Sequence, residues 1–533
     1  AISPDHAVTA DPLLTRRVEV LRGPATLLYG GGAIGGVVNV LDNRVPTALP
    51  EGGIDGSLAL RGNTVAEEKA MAAELTAHLG KGLVAHVERS QRSASDYEIS
   101  GFTSQRVPGT YAKGLTSSTG LSWVGERGYI GLAYTWQDDE YGLPGHSHEF
   151  EGCPLGATPD TLSCPTGGHG HAHGADEVPY VDLRSRRLDL RGELLEPFAG
   201  FNALRFRFNR TKYQHDEIED GAIGTTFLNY GYETRVEAEH KPLGRWHGVI
   251  GLQHADSEFN ARGTESFVPK TQSESVAVFA LEHYELSDDW HLEMGARQEW
   301  QRMRPVDDAQ GRPDTSLSAT SLSLAGVWQF APAHNLSLSL TRAQRLPQGQ
   351  ELYANGVHLA TNTYECGLLA CGRGGDVDPE TSHNLGLNLR KTEGALTYDI
   401  GVYYNRVSDY INADTRQVID DEFRLIHYTQ IRADFVGAEA TASYRFAHDW
   451  KGTLFGDVVR AENRDKAGAL LRGALIDPHF DQASVDRVRG QVLSIIASDA
   501  QDPGAIASRT FRAEAYGAHP YGSSLNGTEE SVK

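Results

Sequence analysis

The chain has 533 residues and a formal net charge of −22. Its length allows several ordinary domains or one very large sheet. The negative charge argues against nucleic acid as a partner, because phosphate binding needs clustered Lys and Arg, and it suits the attraction of a cation. The longest apolar runs, such as residues 129–136, are far shorter than the roughly 20 residues of a membrane helix. A membrane location would therefore require a barrel of strands.

The first part of the chain predicts a compact mixed unit at residues 11–42. Residues 18–21 and 37–41 are apolar enough for short strands, and the glycine-rich run at residues 30–36 predicts a tight turn between them. The chain opens without the pattern of a signal peptide, which predicts either a mature protein or an internal fragment.

From about residue 56 to residue 446, segments of about ten residues alternate apolar and polar side chains and end at turn-forming residues. Leu336, Leu338 and Leu340, for example, alternate with Ser and Thr. In a soluble sandwich the apolar face would form a core, whereas in a membrane barrel it would face lipid and the polar face would line a wet lumen. The large number of segments favours the barrel, because open sheets of that size rarely persist without closing or splitting.

The four cysteines fall into two close pairs, Cys153 with Cys164 and Cys366 with Cys371, each in a glycine-rich stretch. Two readings are open, local disulfides and metal thiolates. We expect the disulfides, which form in an oxidising compartment.

A histidine-rich segment occupies residues 146–177. Its imidazoles and carboxylates belong to His146, His148, His169, His171, His173, Glu149, Glu151, Asp176 and Glu177. Imidazole and carboxylate together suit a divalent metal of borderline softness, above all zinc. Because the segment is glycine-rich, we expect a flexible loop that captures and exchanges metal. The alternative is a solvated polar loop without a ligand.

The glycine-rich opening carries a family resemblance. Residues 17–30, with Arg22-Gly23-Pro24 at their centre, and residues 33–40 resemble the later part of the plug domain of TonB-dependent receptors. Glycines there allow the sharp turns and close approaches that a small domain inside a barrel needs.

Within that family the chain is most similar to zinc-uptake receptors of the ZnuD type. Four stretches carry the resemblance, at residues 95–99, 141–148, 181–184 and 345–365, and it covers about residues 11–464. The resemblance implies a location in the outer membrane, in contact with its lipid. It also implies a plug inside a 22-strand transmembrane antiparallel β-barrel. Uptake would be energised by the TonB complex of the inner membrane. The expected fold is mostly β, with the end of a plug domain at residues 1–50 and the barrel at residues 51–464.

The chain departs from the family pattern at both ends. We find no TonB box or first half of the plug before Ala1 and no closing strands with a terminal aromatic residue after Phe446. These departures predict a truncated plug and an incomplete barrel whose sheet cannot close, which would leave backbone groups unpaired in lipid.

Residues 465–533 predict a short α-rich fragment. Val485, Val488, Val492 and Ile495 recur at helical spacing. Residues 466–533 resemble an internal piece of a pitrilysin- or insulinase-like zinc peptidase, so a fused or rearranged reading frame with a seam near residues 463–468 is expected.

This fragment is expected to be catalytically inert. The resembled peptidases hold zinc with a His-x-x-Glu-His motif, which the chain lacks, and with a Glu on a later helix, which is replaced at about Ser494. The fragment therefore resembles the non-catalytic partner subunit, and the lone His519 is better suited to a turn than to a metal.

A transport site is expected between plug and barrel, where distant parts of the chain converge. Its candidate metal ligands are Asp96, Glu351, His358 and Glu365, which lie in the stretches that resemble zinc receptors. Each alone is equally compatible with an ordinary rim carboxylate or an exposed His. A further cluster is expected to be a solvated loop face, and it comprises His215, Asp216, Glu217, Glu219 and Asp220.

The sequence thus predicts import of zinc as a transported ligand, with the histidine-rich segment as an outer collector. Haem or siderophore uptake by the same fold is the alternative, with a His as axial iron ligand amid aromatic and apolar walls. A zinc peptidase is suggested only by the tail. No Gly-x-Ser-x-Gly, P-loop or His-Glu-x-x-His motif occurs, which predicts that the chain is not an enzyme.

Overall fold

The structure is a computed structural model. It describes residues 11–21, 24–30, 32, 34–99, 106–144, 153–156, 158, 160–164, 178–219, 221–263, 266–372, 374–420, 423–447, 450–464 and 489. Among these residues we find no helix that is both long and apolar enough to cross a membrane.

The first unit is a small two-stranded sheet, as the sequence predicts. β1 (Arg17–Leu21) pairs antiparallel with β2 (Val37–Leu41), so that Val18 lies opposite Val40. A 3-10 helix, Pro24–Tyr29, follows β1 and lies against the wall of the large sheet. Gly30 and Gly36 have φ angles of 131° and 140°, which L side chains rarely adopt and which explain why glycine occupies the predicted turn.

The large sheet contains most of the described residues. Its wall strands are β3 (Ile54–Asn63), β4 (Glu68–Gly80), β5 (Leu83–Ala94), β6 (Ala112–Gly125), β7 (Gly128–Gly142), β8 (Tyr180–Leu195), β9 (Phe201–Glu219), β10 (Ala222–His240), β11 (Trp246–Gly263), β12 (Thr271–Ser287), β13 (Trp290–Pro305), β14 (Thr315–Ala331), β15 (His334–Arg345), β18 (Glu380–Lys391), β19 (Leu396–Ile419), β20 (Phe423–Ala447) and β21 (Trp450–Asn463). The loop between β15 and β18 carries α1 (Gly349–Tyr353), β16 (Asn355–His358) and β17 (Thr363–Cys366).

Neighbouring wall strands pair antiparallel in sequence order, and β15 pairs with β18 across the intervening loop. The strand order brings β21 round beside β3, so the sheet forms a closed barrel. The expectation that the sheet could not close is therefore wrong. Matched residue pairs run from β3 through to β21 in the described wall, whereas β3 and β21 themselves are exposed along almost their whole length. The seam between these two strands is consequently the least buried part of the wall.

The alternation of side chains decides between sandwich and barrel. Leu338 and Leu340 of β15 point outward and are half exposed, as are Leu385 and Leu387 on the paired strand β18. The inward positions of other strands carry buried polar side chains, among them Arg297. A sheet with a polar interior and an apolar exterior is the arrangement of a membrane barrel and not of a soluble sandwich.

The two ends of the barrel differ in their connections. One end, which we call the short-turn end, has tight turns such as those at residues 81–82, 126–127 and 288–289. The other, the long-loop end, has the connections at residues 95–111, 143–179 and 346–379. The aromatic pairs Trp246 with Tyr284 and Trp290 with Trp328 lie near the short turns, as in the aromatic girdle of a barrel.

Both predicted disulfides are present, Cys153–Cys164 and Cys366–Cys371. They lie in one hydrophobic core at the long-loop end, whose other buried members are Leu162, Tyr364, Ala370, Phe423 and Leu425. Two loops that are distant in sequence, each closed by its own local bridge, therefore pack into one unit.

The acidic cluster around His215 is not a solvated loop face, and that prediction is wrong. His215, Asp216 and Glu217 lie in β9 and are 0%, 5% and 1% exposed. The ring of His215 stacks on Phe227 of β10, with ring centroids 4.5 Å apart. Pairing with the next strand buries these residues, which local sequence polarity does not reveal. Glu219 ends β9, and Asp220 lies outside the described residues.

The chain divides into two compact units, Ala1–Asn463 and Arg464–Lys533. Apart from residues 464 and 489 the second unit lies outside the described residues, and so do Val485, Val488, Val492, Ser494, Ile495 and His519. The α-rich fragment, its resemblance to a peptidase and its inertness stay predictions.

We expect replacement of Cys153 and Cys164 by Ser to open the loop at residues 153–164 to protease while the wall stays resistant. An 11-residue bridge of this kind stabilises by about 3 kcal/mol in the chain-entropy model, and its loss should act locally on the loop. Limited proteolysis followed by mass spectrometry measures the effect. Unreduced wild-type protein should show both linkages, and free thiols or crossed linkages would contradict the pairing.

Candidate functional site

The loop between β15 and β18 folds back over the long-loop end of the barrel. β16 and β17 form a small hairpin in which His358 lies opposite Thr363 and Gly356 lies opposite Glu365. β17 also pairs in parallel with the start of β20, which fixes the hairpin to the wall. Three of the four predicted transport ligands, at positions 351, 358 and 365, lie in this one loop.

His358 and Glu365 form a buried pair at the centre of the hairpin. Nδ1 of His358 lies 2.8 Å from Oε1 of Glu365, and the two residues are 2% and 4% exposed. The imidazole stacks on the ring of Phe267, with ring centroids 4.6 Å apart. The loop before β12 thus contributes an aromatic wall, and the hairpin contributes an imidazole and a carboxylate.

The second oxygen of Glu365 is also held. Its Oε2 accepts hydrogen bonds from Nε2 of Gln350 at 2.8 Å and from the hydroxyl of Tyr428 at 3.0 Å. Burial alone would raise the pKa of Glu365, but the hydrogen bond and charge of His358, together with Gln350 and Tyr428, outweigh it and leave this pKa below its ordinary value. Glu365 is therefore an ionised carboxylate in a buried place, which is the charge state that binds a cation.

Glu351, also predicted as a transport ligand, has other partners than His358 and Glu365. Its carboxylate forms a two-point ion pair with Arg345, at 3.0 and 2.9 Å, and accepts the backbone N–H of Gln348 at 2.8 Å. Arg345 in turn pairs with Glu380 at the start of β18. This arrangement caps α1 and ties both ends of the loop together. Glu351 thus orients the helix that carries Gln350 towards Glu365.

Asp96 lies in a different loop from the hairpin. Its Oδ1 accepts the backbone N–H groups of Thr110 and Tyr111, both at 2.9 Å, and so closes the loop between β5 and β6. Burial, and then the charges of Glu140, Tyr180 and Asp96, raise the pKa of Tyr111 to about 12. These contacts give Asp96 a structural role, and the described contacts do not join it to His358 and Glu365.

The five histidines of the collector, His146, His148, His169, His171 and His173, lie outside the described residues. The disulfide between them is described, and its loop packs on the hairpin. The backbone N–H of Leu162 donates to Oε1 of Gln417 at 2.7 Å, and Oδ1 of Asp160 lies 3.4 Å from Nδ1 of the buried His427. Cys366 of β17 belongs to the same core.

The collector is adjacent in the sequence to the disulfide. His148 precedes Cys153 by five residues, and His169 follows Cys164 by five. The disulfide itself belongs to the core that contains the hairpin.

Sequence reasoning missed His427, Tyr428 and Phe267, which build the surroundings of the pair. His427 and Tyr428 lie in an ordinary alternating strand, and Phe267 lies in a short loop. None of the three is part of a sequence motif that would indicate a binding site. The parallel pairing of β17 with β20 brings the first two to the site. The available signal in the sequence is His427 itself, a polar residue that directly follows the apolar Leu425 and Ile426.

Comparison with known proteins gives two family matches. Residues 86–477 match the family described as TonB dependent receptor-like, beta-barrel, and residues 3–37 match the TonB-dependent Receptor Plug Domain. Among curated relatives, a "Hemin receptor" of Yersinia pestis is 64% identical over 28 residues, which is 5% of this chain and 4% of the relative. The match thus spans only a small part of that relative.

Solved structures give the same architecture. The "Copper transporter OprC" has a TM-score of 0.67 at 15% identity, over 86% of this chain and 70% of that one. The hemophore receptor HasR of Serratia marcescens, solved with its hemophore HasA and heme, has a TM-score of 0.66 at 14% identity, over 86% and 71%. At these identities the likeness concerns the fold alone. The family match covers most of the chain, and the chain therefore belongs to the TonB-dependent receptor-like β-barrels, which are outer-membrane receptors and not enzymes.

Proposed function

We propose that this receptor takes up zinc across the outer membrane, with energy supplied through the TonB complex of the inner membrane. The observation that carries the proposal is the buried pair of His358 and Glu365 on a hairpin that shares a core with the disulfide of the histidine-rich loop. In barrels of this kind the longer loops lie on the outer side, where cargo arrives. The five loop histidines would then collect the ion and the hairpin would bind it next.

The donor chemistry supports zinc over softer ions. The four cysteines are all in disulfides, and the chain has only three methionines, so thiolate and thioether donors that select Cu(I) are scarce. Imidazole and carboxylate oxygen are common ligands of zinc. Affinity order alone would favour Cu(II) at the same donors, so discrimination between the two must come from coordination geometry and from supply.

Haem is the second candidate cargo, and one observation favours it. His358 stacks on Phe267, whose core also contains Ala354 and has Phe259 and Tyr428 packed against it. An imidazole in an aromatic wall, with a carboxylate at Nδ1, could serve as an axial iron ligand. Zinc needs several donors around one ion, whereas haem needs a single accessible imidazole, and the two proposals therefore differ in what Glu365 and the loop histidines contribute.

We expect replacement of the five loop histidines by Ala to lower zinc binding by the full-length receptor in detergent. Isothermal calorimetry should show loss of the outer binding events, and in the wild type these should weaken below about pH 6 as imidazoles protonate. A matched control replaces five other histidines, at positions 247, 254, 283, 291 and 334. Equal binding by the wild type and the loop variant would count against the collector.

We expect His358→Ala and Glu365→Gln each to weaken zinc binding by about tenfold or more, since each removes one donor. Tyr428→Phe is the comparison, because it keeps both donors and removes only one hydrogen bond to Glu365, and it should therefore weaken binding less than either donor substitution. If haem is the cargo, His358→Ala should abolish haem absorbance shifts while Glu365→Gln leaves binding largely intact. Zinc binding that neither substitution changes would refute the hairpin as its site.

The pH dependence follows from the direction of the Glu365 shift. The folded-state pKa of Glu365 lies below the ordinary 4.5, so the ionised Glu365 stabilises the hairpin above that value, and the stabilisation is lost as pH falls through the lowered pKa. Hydrogen exchange of residues 355–366 should therefore stay slow at pH 5 and speed up below pH 4.5. In Glu365→Gln this acid step should vanish, and its persistence would assign the step to another group.

A further inference from the structure

We infer that Glu74, His86 and Glu88 form a second site for a divalent cation, on the lumen wall near the short-turn end. One carboxylate oxygen of each Glu and one ring nitrogen of His86 all lie within 4.8 Å of one another. The inference rests on the proposed function only in taking the transported ion to be a divalent metal. The site itself is built from residues that the hairpin does not use.

Strand register creates the cluster. On the paired strands β4 and β5, Glu74 lies opposite Glu88 and Thr76 lies opposite His86. His86 is only three residues from the start of β5, close to a short turn, whereas the hairpin lies at the long-loop end. The two sites therefore occupy opposite ends of the lumen.

The distances suit a metal better than a simple hydrogen bond. Nε2 of His86 and Oε2 of Glu88 are 3.3 Å apart, longer than most N–H···O hydrogen bonds. Two ligands on one tetrahedral zinc lie about 3.3 Å apart, because the bonds to zinc are about 2.0–2.2 Å long. An oxygen of Glu74 lies within 4.8 Å of these two donors, so a modest inward movement of this half-buried side chain would complete a set of one nitrogen and two oxygen donors.

The imidazole is oriented as in a metal site. Oγ1 of Thr76 lies 2.8 Å from Nδ1 of His86, which fixes the ring and leaves Nε2 directed at the carboxylates. Metal-bound histidines nearly always have such a partner on the other nitrogen. The side chains of His86 and Glu88 are 0% and 2% exposed, so the ring and the carboxylate are held rigidly.

Two carboxylates directly opposite on paired strands repel each other, which favours a cation between them. Two arginines of the segment that precedes β3, Arg16 and Arg44, partly supply the positive charge that these carboxylates attract. Nη2 of Arg16 lies 3.6 Å from Oε1 of Glu74, and the charge of Glu88 acts on Arg44. Arg44 follows β2 and also pairs with Asp42 at 2.6 Å. The site therefore lies where the plug segment meets the wall, and a bound metal would compete with Arg16 for Glu74.

The test uses the full chain in detergent, with zinc alone as the probe. An outer-deficient chain carries the five loop His→Ala substitutions together with His358→Ala and Glu365→Gln. In this background we expect about one zinc per chain by equilibrium dialysis, with one nitrogen and two oxygen ligands from protein by X-ray absorption. Adding His86→Ala and Glu88→Gln should remove that zinc.

A matched control adds His283→Ala and Glu293→Gln instead, a second His–Glu pair of the wall with 3.8 Å between ring nitrogen and oxygen. It should keep the zinc. Thr76→Val retains all three donors and should weaken binding roughly 10- to 100-fold, a readout that does not depend on removing a ligand. A difference in electrophoretic migration between the unheated and the heat-denatured protein checks that each variant folds.

The outcomes separate the two proposals. The inner site is overturned if the outer-deficient chain binds no zinc, or if that chain folds and keeps its zinc after His86→Ala and Glu88→Gln are added. Either result leaves the hairpin proposal to be judged on its own variants. Inner zinc that disappears with His86 and Glu88, in a receptor whose hairpin and loop substitutions change nothing, supports the inner site and overturns the proposed outer one.

Discussion

The pairing of backbone N–H and C=O groups is the constraint on which the rest of this molecule depends. Lipid offers no hydrogen bonds, so each wall strand must find its partners in its two neighbours. Antiparallel pairing from β3 to β21 meets this demand, and the strand order returns to its start. Because side chains alternate along a strand, the same pairing sends every second residue into the lumen, and the position of each functional group follows from register.

The alternation of side chains along each strand also explains how a lumen with so many charges stays stable. Residues i and i+2 share a face, and several ion pairs join such neighbours, including Arg235 with Glu237 and Arg297 with Glu299. Other pairs cross between segments, as Arg44 does to Asp189. A buried charge without a partner would cost several kcal/mol, so partners are local wherever the strand allows it. The lumen thus carries polar chemistry without destabilising the wall.

The sequence predicts those features that depend on local pattern. The plug strands, the alternating segments and both disulfides follow from periodicity, glycine placement and cysteine spacing, and the structure confirms them. His358 and Glu365 are named as candidates because one short stretch contains both, and the structure places their side chains 2.8 Å apart. Glu351 and Asp96 lie in equally suggestive stretches, yet their carboxylates serve Arg345 and two backbone N–H groups, since capping and ligation use the same chemical group.

Features that depend on pairing between strands could not be predicted from the sequence. The burial of His215 needs the neighbouring strand, and the approach of His86 to Glu74 needs the register of β4 with β5. Neither can be read from one strand, because a shift of a single residue would send each side chain to the other face. Closure of the sheet was likewise mispredicted, since it is a property of the whole strand order.

A transported ion must leave every site that it enters, and the surroundings of both carboxylates suit release. Gln350, Tyr428 and His358 already hold the oxygens of Glu365, and in the proposed uptake they would take them up again as the metal leaves. Glu74 can likewise turn to Ser57 at 3.0 Å and to Arg16. A buried carboxylate with no such partners would bind its cation too tightly to pass it on, because losing the ion would expose an uncompensated charge. In the proposed uptake, the hydrogen bonds that compete with the metal would therefore make its transfer from one site to the next reversible.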